Sequence, residues 1–163
     1  NTTSKLPLSE KVKLFTKVNV YYKIYVSGFQ VFKNYPYFGV GNKNYRVETC
    51  NEIRSFGHIG KYYCVTHPHQ VYIEFLSEHG IVGTILLLSI LFYLIFRLLK
   101  IIILSKNSLQ LGCFVYLLIV FLPILPGGAF FGDFNSTLFW INFAILYAAN
   151  RETNIFDKKV EDN

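Results

Sequence analysis

Apolar residues return every three or four positions near the start of the chain: Leu8, Val12, Phe15, Val18, Tyr22, Tyr25, Phe29 and Phe32. This spacing predicts a helix over 7–33 with one apolar stripe. Lys11, Lys13, Lys17 and Lys23 fall largely off that stripe. Two readings fit it equally. A basic amphipathic helix suits a membrane surface, its lysine stems reaching towards headgroups; the same pattern suits a helix packed on a protein core with a solvated face. The turn residues Pro36, Gly39 and Gly41 then close the helix. Their Gly-x-Gly lacks the third glycine and the strand–helix frame of a dinucleotide fingerprint, so it reads as a tight turn. Residues 43–65 are polar, aromatic and irregular. A second helix is expected after Thr66-His67-Pro68-His69-Gln70, with Pro68 at its first position and His67 or Thr66 as cap. In it Val71, Tyr72, Phe75 and Leu76 oppose a polar face of Gln70, Glu74 and Glu78, and Gly80 is a C′ glycine or a hinge.

Beyond Gly80 the pattern changes. Residues 80–104 exceed the roughly 20 apolar residues needed to cross about 30 Å of hydrocarbon. Two further runs follow, the last of them short and borrowing from the aromatic loop before it. Spans are predicted at about 81–104, 109–125 and 134–150. Arg97, Lys100 and Lys106 lie at one end, and Arg151, Lys158 and Lys159 follow the last span, while the loop at 126–135 has no Lys or Arg. Both basic ends then face the cytoplasm. The expected fold is all-α: a polytopic membrane protein fragment, with a helical periplasmic loop region (1–79), about three transmembrane helices (80–150) and a cytoplasmic tail (151–163).

Composition sharpens this. With 52% hydrophobic and 18% aromatic residues among 163, general disorder is excluded. Residues 1–79 carry ten of the sixteen Lys/Arg and five of the ten acids, whereas Gly80–Phe96 carries no charge at all. Such segregation fits a membrane protein with one large wet segment rather than an ordinary soluble domain. No Met occurs, even at position 1. The chain is therefore expected to be part of a longer one, with transmembrane helices before Asn1. A nucleic-acid partner is not expected.

Several residues can carry chemistry. Cys50 and Cys64 are expected to pair in an oxidising compartment, with Cys113 buried and free. The competing reading is a metal site built from Cys50, His58, Cys64, His67 and His69; their spacing has neither a C-x2-C nor an H-x3-H pair, so the disulfide is preferred. His67 and His69 flank a proline at a helix start. The positive helix end there attracts phosphate and favours a neutral imidazole, which can accept a proton from a hydroxyl. On spacing alone, one histidine capping the helix and the other at the membrane interface is the commoner arrangement.

Taken together, Pro36-Tyr-Phe-Gly-Val-Gly, Asn44-Tyr-Arg46, Thr66-His-Pro-His-Gln70 and the stretch Tyr72–Gly83 resemble the O-antigen ligase superfamily. Its ligases carry a histidine followed by Asn, Ser or Gln, then nine residues, a glycine, two residues and often another glycine. His69, Gln70, Gly80 and Gly83 satisfy that spacing. The resemblance implies a multi-pass inner-membrane glycosyltransferase without metal or other cofactor. It would take an undecaprenyl-diphosphate-linked glycan donor and transfer the glycan to lipid A–core (ligases) or to another glycan (polymerases). The family histidine maps onto His69 and a family arginine onto Arg46. One departure is upstream, where members often have an Arg and a Trp and this chain has Tyr21, Tyr22 and Tyr25. The fragment alone is expected to be inactive.

Positive charge near a departing diphosphate comes from Arg46, then Lys43, then Arg54 in order of expectation, with His67 nearby. For Lys43 and Arg54 a solvated surface is the commoner role. A different class, a membrane transport or envelope-binding module, would leave charges inside the spans along a pathway. Arg97 and Lys100 instead lie near a span end.

Overall fold

The structure, a computed structural model, describes residues 7–10, 19–50, 62–123 and 125–154. Among them every regular element is helical: α1 (Val20–Asn34), α2 (Tyr45–Cys50), α3 (Val71–Ser105), α4 (Ser108–Val120) and α5 (Asp133–Ala148). Residues 11–18 of the expected helix over 7–33 lie outside the described residues.

The predicted stripe of α1 is not the face it packs with. Ile24, Ser27, Gly28 and Val31 are buried, whereas Tyr22 and Phe29 are exposed and Tyr25 and Phe32 half-buried. Small residues let the backbone come close: a Cβ on Gly28 would lie 2.3 Å from Ile73 Cγ2 and 3.3 Å from Pro68 Cβ. Close approach of two helices selects the small residues, and the aromatic ones turn outward.

α3 is kinked at Gly80, whose φ of 63° and ψ of −171° are not helical. The kink separates an amphipathic first half from the apolar stretch 81–105. α3 is long and apolar enough to cross a membrane. Its most apolar 18-residue window has a mean hydropathy of 2.5 and is only 22% buried, unlike the core helix of a soluble protein. Leu91, Ile95, Leu98 and Ile102 form its buried seam against Cys113, Phe114 and Leu117 of α4. Phe139 and Leu146 of α5 complete this core, with Phe75, Phe121 and Phe130 at its upper end. Gln110 is fully buried at the lower end, donating to Leu146 O (2.9 Å) and Thr153 Oγ1 (3.3 Å).

Two boundaries differ from expectation. α4 ends at Val120, five residues short of 125, and the chain turns at Phe121–Pro123. Pro123 has no amide hydrogen to continue a helix. α5 begins at Asp133, so it does gain length from the aromatic loop, but it stops at Ala148.

Candidate functional site

The site begins with the break at Gly80. In an unbroken helix the amides of Ile81 and Val82 would bond the carbonyls of Ser77 and Glu78. Here they donate instead to Pro36 O (2.8 Å) and Tyr37 O (3.2 Å). The released carbonyls of Ser77 and Glu78 accept from Val40 N (3.0 Å) and Gly41 N (2.8 Å). The turn 36–41 thus satisfies four main-chain groups that the kink leaves open. Both crossing points need glycine. A Cβ on Gly39 would lie 2.3 Å from the Glu78 carbonyl carbon, and one on Gly80 2.3 Å from that of Tyr37; both residues have positive φ. The third motif glycine, Gly83, leaves room for His79, whose Cβ would stand 2.7 Å from a Cβ there.

The histidine segment meets the loop before α5. Gly127 N donates to His69 O (2.9 Å), and His69 Nδ1 lies 3.3 Å from Gly127 O. A carbonyl only accepts, so Nδ1 is the donor in this contact and Nε2 is the ring nitrogen left for other partners. His69 holds the left-handed φ of 54° and is half-buried. Its ring meets Tyr21 edge-on at 5.9 Å and lies 4.0 Å from the His67 ring, centroid to centroid. His67 accepts or donates at Nδ1 with Thr66 Oγ1 (2.9 Å). Burial, and then the neighbouring His69, hold the His67 imidazole below its ordinary value, which keeps it neutral. Neither His67 nor Thr66 caps the helix. Gln70 does, its Oε1 accepting from Ile73 N at 2.7 Å, and Pro68 is buried ahead of the first turn.

The polar face expected of α3 is buried too, because loops rather than water cover it. Gln70, Glu74 and Glu78 are all buried. Glu74 accepts from Phe130 N (2.9 Å) and Phe131 N (3.5 Å), and Glu78 from Lys43 N (3.0 Å) and Tyr45 N (3.4 Å). Burial pushes the Glu74 carboxyl up to about 7, against those two amides. Burial raises Glu78 as well, opposed by its amides and by Lys43. Sequence reasoning missed both as site residues. Their spacing of four on a helix was the available signal, since it puts two acids on one face.

Lys43 Nζ sits 2.8 Å from Asp133 Oδ1, both side chains largely exposed, and so joins the 41–45 corner to the start of α5. Asp133 was not anticipated either. Arg46 is exposed on α2. Arg54 and His58 lie outside the described residues. Cys50 and Cys64 are bonded, with Cα atoms 4.6 Å apart, and Cys113 is free and buried. The bond ties the helix of Arg46 to the segment that leads into His67. A cleft beside Gly127 is lined by Val71, Tyr116, Leu125, Phe130 and Asn135.

A family model described as O-antigen ligase matches residues 12–88, a range that takes in α1, α2 and the first turns beyond Gly80. No curated protein and no solved structure matches the chain.

Proposed function

Residues 12–88 match the O-antigen ligase family model, and from that premise we propose that the protein transfers a glycan from an undecaprenyl-diphosphate carrier to lipid A–core. A glycan acceptor, as in a polymerase, is the alternative of the same chemistry. The observation that carries the reading is the reciprocal bond between His69 and Gly127, which fixes the imidazole through Nδ1 and leaves Nε2 as the nitrogen that can act on a substrate. In this reading His69 Nε2 takes the proton of the acceptor hydroxyl as its oxygen attacks the anomeric carbon. The bond from that carbon to the diphosphate oxygen breaks, and the diphosphate leaves with the electron pair. Arg46 and Lys43 supply positive charge to it, Arg46 by a forked pair of donors. His67, held neutral, stands beside the His69 ring, and Arg54 is a further candidate cation.

The reaction takes place at the periplasmic face. The stretch 81–105, α4 and α5 are three passes, residues 1–79 lie outside the cytoplasm, and the tail after residue 150 lies within it. The basic residues at 97, 100, 106 and 151 support that orientation.

Replacing His69 by Ala in the full-length protein tests the reading. Glycan transfer is expected to fall by roughly 10²–10⁴-fold with normal membrane insertion, and His67→Ala is expected to weaken it less. Normal amounts of glycosylated acceptor from the His69→Ala protein would overturn the role of His69. The acceptor that wild-type protein modifies separates ligase from polymerase.

A further inference from the structure

Glu74 and Glu78 stand one turn apart on the first half of α3, each only 2% exposed. Two carboxyl groups at that spacing, withdrawn from water, oppose folding whenever both are ionised. Each nevertheless spends both carboxylate oxygens on main-chain amides, and the two serve different loops. Only a carboxylate offers two acceptors side by side with no donor. A glutamine of the same shape would turn an N–H towards one of the amides.

The two loops carry the two halves of the site. Phe130 and Phe131 follow Gly127, whose carbonyl accepts the hydrogen bond from His69 Nδ1. Lys43 and Tyr45 form the corner that presents Lys43 and begins the helix of Arg46. The Lys43–Asp133 pair then bridges the loops on the outside. We propose that Glu74 and Glu78 are the positioning residues of this site, Glu74 setting the 127–131 loop against His69 and Glu78 setting the cationic corner. The inference rests on the glycan-transfer reading. It assigns the two acids separate effects: Glu74 acts on the proton-transfer step through the imidazole, and Glu78 acts on capture of the diphosphate.

The test uses full-length protein in nanodiscs, as wild type, Glu74→Gln and Glu78→Gln, with a polyprenyl-diphosphate oligosaccharide varied at saturating acceptor. Glu74→Gln is expected to lower kcat by about tenfold, with the donor KM within about twofold of wild type. Glu78→Gln is expected to raise the donor KM by about tenfold and to leave kcat within about twofold. Equal loss of kcat alone in both variants, or wild-type constants in both, overturns the proposal. Hydrogen exchange supplies a second reading that needs no activity. In wild type, peptides covering 41–46 and 127–132 are expected to exchange slowly. Glu78→Gln should speed only the first and Glu74→Gln only the second. Fast exchange of both peptides in wild type overturns the proposal even where a variant fails to accumulate. If wild type transfers no glycan from any carrier, the transfer reading fails while the exchange experiment still judges the positioning.

Discussion

Gly39 and Gly80 each lack room for a methyl group and each hold a positive φ, so alanine at either position meets both steric contact and backbone strain. Gly39→Ala and Gly80→Ala are each expected to destabilise the full-length protein by about 3 kcal/mol. Thermal unfolding in detergent checks this, with Gly112→Ala as the control. Gly112 has nothing within 4 Å of its Cβ position and lies inside α4, so alanine there is expected to be neutral or to stabilise by about 0.5–1 kcal/mol. His67 gives a pH prediction. Its folded value lies below its unfolded one, so the unfolded chain binds the proton first as the medium acidifies. Its contribution is complete above about pH 6.5 and is lost as pH falls below it. The His67→Gln protein should therefore show a flatter stability profile between about pH 6.5 and 5 than wild type. A profile of unchanged slope would refute that contribution. At this scale the glycines were legible, because turn and hinge residues are few and punctuate the pattern. Glu74 and Glu78 were not. Acids are seldom buried, and nothing local shows that main-chain amides from distant loops will cover them.

Helices were legible as kinds and less so as faces and ends. The apolar runs expected at about 81–104, 109–125 and 134–150 became helix over 81–105, 108–120 and 133–148, where nothing competes with helical hydrogen bonding. The packed face of α1 was hidden: Ser27 and Gly28 score as weakly apolar, yet their smallness lets Pro68 and Ile73 approach. The end of α4 was hidden as well, since Phe121, Leu122 and Leu125 continue the apolar pattern past the point where Pro123 stops the helix. Caps decide these ends more than hydropathy does. Asn107 Oδ1 accepts from Leu109 N (3.1 Å) and Gln110 N (3.2 Å), while its Nδ2 donates to Ala149 O (2.7 Å). One side chain thus starts α4 and closes α5. Asn107→Ala is expected to cost about 1–2 kcal/mol, at the upper end for a cap because the link to α5 goes with it. Denaturant titration in mild detergent measures it, and a change below about 0.3 kcal/mol would show that water replaces both contacts.

On the scale of the whole molecule, a covalent tie and a bilayer act on different halves. The Cys50–Cys64 bond closes a loop with a sequence separation of 14, for which chain entropy gives about 3 kcal/mol. Cys50→Ser is expected to lower stability by about that amount and to loosen the helix of Arg46, seen as faster proteolysis between residues 43 and 66. Wild-type and variant protein cut at equal rates would argue against it. For the other half, a reporter fused after Ala149 and active only in the cytoplasm is expected; activity confined to the periplasm would reverse the orientation. The clasp between the 36–41 turn and the Gly80 kink joins these halves, and it is made of main-chain atoms. Its grip does not depend on the side chains that the turn displays. Tyr37 and Phe38, both well exposed, and Asn42 beside them can be exchanged without touching the hydrogen bonds that seat them. Chemical identity at this corner can therefore drift while the scaffold beneath stays anchored.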